Sequence, residues 1–192
     1  MNTHAEMAAA AAETTRIVGG VTAEQLSDQT PCGEWDVRAL LNHIIVWTAY
    51  SAEQRARGGS VAEELMTKDF AADPDFAADY AKQAGRAVDA WADPAAWDRE
   101  IDVMGSATPA GDIAALLIAE LVLHGWDLAA ATGQEYHCDD AVAAVVLRTV
   151  QEQGELFRQY QGFAEPVTVP ADAPGFYQAL ALSGRDPGTG IS

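Results

Sequence analysis

Cysteine is scarce: Cys32 and Cys138 are the only two in 192 residues, and they form neither a CxxC pair nor a dense framework. That excludes a disulfide scaffold, though it leaves a pairing between the two open. Positive charge is nearly as scarce. Eleven Lys and Arg stand against 29 Asp and Glu, a formal charge of -18, and such a field repels phosphate backbones and anionic lipid. No nucleic-acid partner and no membrane partner is expected. A basic region is missing ahead of the alanine run in MNTHAEMAAAAAETTRIVGG, which Glu6 and Glu13 flank instead. The segment fails as a signal peptide, and a cytoplasmic protein is expected.

Alternating strand patterns are also rare, whereas apolar residues recur at intervals of three and four, so the class is all-α. One apolar run, Ile113 to Thr132, is long enough to cross a bilayer. It carries Glu120, His124 and Asp127, however, and each charged group would cost about 2.5 kcal/mol or more at a membrane centre. No basic flank follows it, and it reads as the buried helix of a soluble bundle. With 49% hydrophobic residues the chain can build one well-buried core, and 1–192 is expected to be a single domain.

Cap and breaker residues divide the chain. A first helix is predicted over Thr3 to Val18, ending at Gly19-Gly20. Asp36 caps a second, Val37 to about Arg57, before Gly58-Gly59. Asp73-Pro74 opens a third that runs to about Trp91, and Asp93-Pro94 breaks the chain. Ile101 to Ala107 is a short strand or extended crossing. Thr108-Pro109 opens the fourth helix, which stops at Gly133, and Asp139 or Asp140 caps a fifth that reaches about Tyr160. The proline-rich tail from Gly162 to Ser192 has room for one short helix, Tyr177 to Leu182. Short loops with one longer connection, Ala92 to Ala107, predict a bundle of four or five helices with a crossover and a short C-terminal extension.

Within this pattern IAELVLHGWDLA places a carboxylate and an imidazole four residues apart, with Asp127 three further on. All three share one face of a helix that is otherwise aliphatic. A buried carboxylate must pair, shift its pKa or bind a cation. In LLNHIIVW of the second helix, His43 is likewise set among Leu40, Leu41, Ile44 and Ile45. Two imidazoles and a carboxylate from facing helices make a three-ligand set for a divalent metal, with a position left for water or substrate. The same residues also fit a plainer arrangement, a Glu120–His124 helix pair and a hydrogen-bonded core histidine at 43.

Asp127 can orient a ligand imidazole, face solvent or pair with an arginine. Trp47 and Trp126 are candidates to wall a pocket or simply to pack. Cys32, in TPCGEW, can sit near the pocket mouth or serve as a small packing residue. His4, at a fraying start, and His137, in a loop, are weak ligand candidates. The glycines of SGRDPGTG lack the lysine and the strand-to-helix setting of a phosphate loop.

TPCGEWDVRALLNHI, AELVLHGWDLAAATGQ and LSGRDP together resemble the actinobacterial metal-binding branch of the DinB-like superfamily, related to the N-terminal domain of mycothiol-dependent maleylpyruvate isomerase. The resemblance covers most of the chain, and ExxxHGWDLA is its more specific part. It implies a DinB-like four-helix bundle with a metal, usually zinc, on His43, Glu120 and His124, and mycothiol as a possible cosubstrate. The isomerase carries an additional C-terminal domain for which 192 residues leave no space, so general thiol chemistry transfers more readily than one substrate.

Three functions follow from these residues. The first is a metal-dependent enzyme that uses a low-molecular-weight thiol, mycothiol on the resemblance, for S-transfer to or isomerisation of a small electrophile. The second is a metal-dependent hydrolase with Asp127 as the nearby base. The third is a non-catalytic metal or ligand binder, homodimeric in one version. Selection of the electrophile is expected from the loops Gly58 to Asp73 and Ala92 to Ala107.

Overall fold

A computed structural model describes residues 2–33, 35–103 and 105–190. Helix α1 (His4–Gly19) buries Met7, Ala10, Ala11, Thr14, Ile17 and Val18, the spacing of a single helical stripe. It starts one residue later than predicted, with the Thr3 carbonyl accepting from the Met7 amide. Helix α2 (Val37–Ile44) begins as expected, the Asp36 carboxylate accepting from the Ala39 amide at 2.8 Å. The rod then widens to π winding over Ile45–Ser51 before closing as α3 (Ala52–Arg57), which ends at Gly58.

A one-turn helix, α4 (Glu63–Met66), and a 3-10 turn at Phe70–Ala72 fill the next connection. Asn42 holds that turn against α2, its Oδ1 accepting from the Phe70 and Ala71 amides. Helix α5 (Phe76–Trp91) starts two residues after the predicted Pro74, because Asp73 folds its carboxylate onto the Asp75 amide and forms a turn of its own. Asp93-Pro94, expected only to break the chain, starts the short α6 (Pro94–Trp97), with Asp93 accepting from the Ala95 amide.

The crossover is a hairpin rather than a single extended pass. Strand β1 (Glu100–Val103) pairs antiparallel with β2 (Ser106–Pro109), Ile101 opposite Thr108. Thr108 therefore lies in a strand and does not cap the next helix; its hydroxyl turns to the Ser106 carbonyl. Helix α7 (Ala110–Thr132) ends at Gly133 as predicted. By length and composition it could span a membrane, yet 72% of its most apolar window is buried inside the protein. Helices α8 (Asp140–Gln159) and α9 (Gly175–Leu182) follow, α9 two residues longer at its start than expected.

The architecture is all-α, with the one hairpin as its only sheet among the described residues. Four rods form the bundle: α1 packs on α5 and α7, α2 on α7, and the π segment and α3 on α5. Two hydrogen bonds from α5 brace the widened segment. The Thr48 hydroxyl donates to the Ile44 carbonyl at 2.7 Å, which leaves the Tyr80 hydroxyl to donate to Thr48 at 2.9 Å, and the Trp91 indole donates to the Ala52 carbonyl. Helix α8 lies outside on α7 and α1, with α9 packed on it.

Candidate metal centre

A cavity of about 790 Å³ opens between the α2–α3 rod, α7 and the chain's C-terminal segments. His43 reaches it from α2, and Glu120 and His124 from α7, one turn apart. His43 Nε2 lies 2.9 Å from Glu120 Oε2, and His124 Nε2 lies 3.4 Å from the same oxygen. One ligand atom from each residue falls within 4.8 Å of the others. Three atoms bound to one tetrahedral ion at 2.0–2.2 Å sit roughly 3.3 Å apart, so the spacing fits a small divalent cation with little movement.

The surroundings orient both imidazoles. Trp35 lies over the pair, its ring centroid 4.7 Å from that of His43 and 6.0 Å from that of His124. Behind His124, Nδ1 is 3.1 Å from Asp127 Oδ2. A ligating histidine characteristically gives its second nitrogen to such a carboxylate, which fixes the ring and leaves the other nitrogen aimed at the metal. Without an ion, burial alone would push the His124 imidazole down, but Glu120, Asp127 and Cys32 together raise it to about 10. Burial likewise opposes ionisation of Glu120, and the charges of His124 and His43 overcome it and hold the carboxyl at about 2. A cation would replace the proton that the carboxylates now attract.

Asp127 itself is fully buried. Arg185, from the segment after α9, clamps it with two hydrogen bonds, Nε to Oδ1 at 2.8 Å and Nη2 to Oδ2 at 2.6 Å. Arg185 Nη1 also donates to the Ser183 hydroxyl, and its guanidinium lies 5.9 Å from the Phe163 ring centroid. Gly184 makes this approach possible: its φ is +84°, and a Cβ there would fall 2.6 Å from Ala164 Cβ. Both oxygens of Asp127 are thus engaged, one of them by two donors.

Cys32 lines the cavity, its Sγ 3.8 Å from His124 Nδ1. Cys32, His124 and Asp127 form a second close cluster, but Arg185 already occupies the carboxylate in it. Of the two tryptophans weighed as pocket wall or packing, Trp47 lines the cavity and Trp126 packs, buried elsewhere on α7; Trp35 lines the cavity as well. His4 is not frayed, its Nε2 lying 3.0 Å from the Val88 carbonyl, and His137 is exposed beside Glu135. Neither is near the centre.

Two further expectations need correction. Among the described residues, the segment from Gly58 to Asp73 does not line the cavity, its end packing beside α2, and Val103 alone represents the Ala92 to Ala107 connection. The outer wall comes instead from Pro31 to Gly33, Phe157 to Ala164 and Ser183 to Arg185. Arg185 was the residue the sequence reading missed. Its signal was an unbalanced account: a carboxylate deep in an aliphatic helix needs a cation, and LSGRDP supplies one of the chain's few.

Two curated proteins of Mycobacterium tuberculosis, from strains CDC 1551 and H37Rv and both described as uncharacterized, are each 28% identical to the chain over 183 residues. The alignment covers 88% of this chain and 90% of theirs. No solved structure matches significantly. The family model for the mycothiol maleylpyruvate isomerase N-terminal domain matches residues 7–129, which hold His43, Glu120, His124 and Asp127. By that match over more than half its length, the chain belongs to the mycothiol maleylpyruvate isomerase N-terminal domain family.

Proposed function

We propose that this protein is a metal-dependent enzyme that adds a low-molecular-weight thiol, mycothiol by family membership, to a carbon of a small electrophile, the thiol either staying attached as the leaving group departs or an epoxide opens, or leaving again once the substrate has isomerised. The observation that carries the reading is the convergence of His43, Glu120 and His124 on one point of a large cavity, with Asp127 holding one imidazole from behind. A divalent ion there, zinc by preference, would lower the pKa of a bound thiol and keep it as the nucleophilic thiolate.

The side chains do the rest. Glu120 lowers the charge of the centre, Trp35 lies over the imidazoles, and Asp127 holds the second nitrogen of His124. Asp127 is a positioning residue in this scheme. Fully buried and clamped by Arg185, it has no oxygen free to take a proton from water, which weighs against hydrolysis. The size of the cavity weighs against a closed structural ion. We read 1–192 as one unit, since the tail completes the cavity wall.

Elemental analysis tests the ligands: wild type retains one zinc per chain after dialysis, and His43→Ala and His124→Ala retain none. Full metal in either variant overturns the assignment. Loss of mycothiol in the presence of an activated haloarene or an epoxide, abolished by a chelator and restored by zinc, tests the chemistry. Turnover of esters or amides without thiol would establish the hydrolytic reading instead.

A further inference from the structure

Arg55 stands in the cavity wall from α3, only partly exposed, in a chain whose formal charge is -18. Among the described residues no carboxylate lies within 4.0 Å of it; its one hydrogen bond is from Nε to the Ser51 hydroxyl, at 3.0 Å. Of the other partly or fully buried arginines, Arg38, Arg158 and Arg185 pair with Asp69, Glu155 and Asp127, while Arg99 bonds the Ala95 carbonyl and lies outside the cavity. Burial pulls the Arg55 pKa below its ordinary value, offset in part by Glu120, and the guanidinium keeps its charge. Its terminal nitrogens therefore keep most of their donor capacity, in a partly desolvated place where an anion would be held strongly.

The backbone explains why Arg55 faces this way. Twelve residues of regular α-helix separate it from His43 by about three turns plus 120°, which would aim it well away from the imidazole. The π winding at Ile45–Ser51 takes up one residue, about 100° of that rotation, and leaves the two within about 20° of one face. Thr48, Tyr80 and Trp91 brace that widening. The rest of the lining on this side is largely apolar and includes Trp47, Ile113 and Leu116, with Glu120 the carboxylate whose charge reaches Arg55.

We infer that Arg55 is a recognition site for a carboxylate, so that the cavity takes a small anionic ligand whose apolar portion lies along α7 and whose charged end is held by the guanidinium. The inference rests on the proposed function only for what reacts at the other end. The binding site itself stands without a metal.

Calorimetric titration with alkanoates from butyrate to octanoate, each beside its uncharged amide, tests it on the protein as purified and after dialysis against a chelator. Wild type is expected to prefer acid to amide at least tenfold in both forms. Arg55→Gln loses that preference, while Arg55→Lys, which keeps the charge but not the fork, retains part of it. Equal or undetectable binding of acid and amide by wild type, or an undiminished preference in Arg55→Gln, overturns the inference. Repeating the titration with mycothiol present separates two sources. Competition places the carboxylate in the thiol's own subsite, and additive binding assigns it to the electrophile. Zinc content and zinc uptake are read on the same protein: a carboxylate preference in protein that holds no zinc as purified and takes up none when zinc is added would sink the metal reading and leave Arg55's role intact, and full zinc without the preference would do the reverse.

Discussion

Replacing Arg185 by methionine isolates the buried ion pair behind the proposed centre. Methionine keeps much of the arginine stem and its packing, but Asp127, fully buried, loses the donors at 2.8 and 2.6 Å. Removing one partner of a buried pair costs about 3–5 kcal/mol. The lower end applies here, because His124 Nδ1 still meets Oδ2 at 3.1 Å. A loss of about 3 kcal/mol in a chain of 192 residues corresponds to roughly 6–12 °C in Tm. Urea unfolding followed by circular dichroism should give the same figure as a shift in midpoint at constant slope.

The dependence on pH sharpens this test. Burial opposes ionisation of Asp127, but Arg185, the largest favourable influence, and His124 hold its pKa below the ordinary 3.8. A depressed folded pKa contributes stability above the unfolded value, lost only as pH falls through the folded one. Without Arg185 the effect of burial is opposed by His124 alone, so Asp127 accepts a proton at higher pH than in wild type, and the gap between the two proteins narrows on acidification. The double variant Asp127→Leu, Arg185→Met should recover most of the lost stability, since no unpaired charge remains. A single-variant loss below about 1 kcal/mol, or additive effects in the double variant, would refute the account of the pair.

Other consequences can be measured directly. Asp127→Asn should weaken zinc about 10- to 100-fold in competition with a chelating dye; unchanged affinity would mean that Asp127 does not orient His124. Gly125→Ala should lower the urea midpoint despite a helix-propensity gain of about 1 kcal/mol, because its Cβ would lie 2.7 Å from the Tyr136 ring and 2.9 Å from Thr14 Oγ1, overpacking worth about 1–3 kcal/mol. A stabilised variant would show that the ring yields. Burial pushes the Cys138 thiol up to about 12, so at pH 8 its thiolate fraction is roughly a thousandfold below that of an ordinary thiol. Iodoacetamide should leave it unmodified in the native protein and alkylate it in urea; rapid native labelling would contradict that environment.

Much of this arrangement was legible in the sequence because it is periodic. Helix boundaries followed from Asp36, Gly58 and Gly133, each of which does what its residue type does best at a helix end. Glu120, His124 and Asp127 stood out because their spacing aligns them on a face that has no other reason to be polar. Features set by tertiary partners were not legible. The π winding depends on Tyr80 and Trp91 reaching across from α5, and the sequence of the second helix alone reads as an uninterrupted α-helix. The walls were misplaced for the same reason: Gly58 to Asp73 has the composition of a binding loop, but Asn42 and Arg38 draw its end against α2. Thr108-Pro109 matched a cap signal, and the pairing of β2 with β1 overrode it.

Arg185 lies beyond residues 7–129, the extent of the family match, as does the cavity wall from Phe157 to Ala164. The proposed ligands and Asp127 lie inside that match. The buried Arg185–Asp127 pair links the two parts at the site, so the tail both shapes the space where a ligand would lie and sets the electrostatic environment of the carboxylate behind His124. A change in the tail can therefore act in two separable ways. Substitution at Phe163 or Ala164 alters the cavity's shape and should change which ligands enter, with zinc affinity unaltered. Substitution at Arg185 should change zinc affinity as well, because it frees the group that fixes the imidazole. Measuring both quantities on the same variants would distinguish a wall from a support, and if Arg185→Met left zinc affinity at the wild-type value, the tail would be a wall alone.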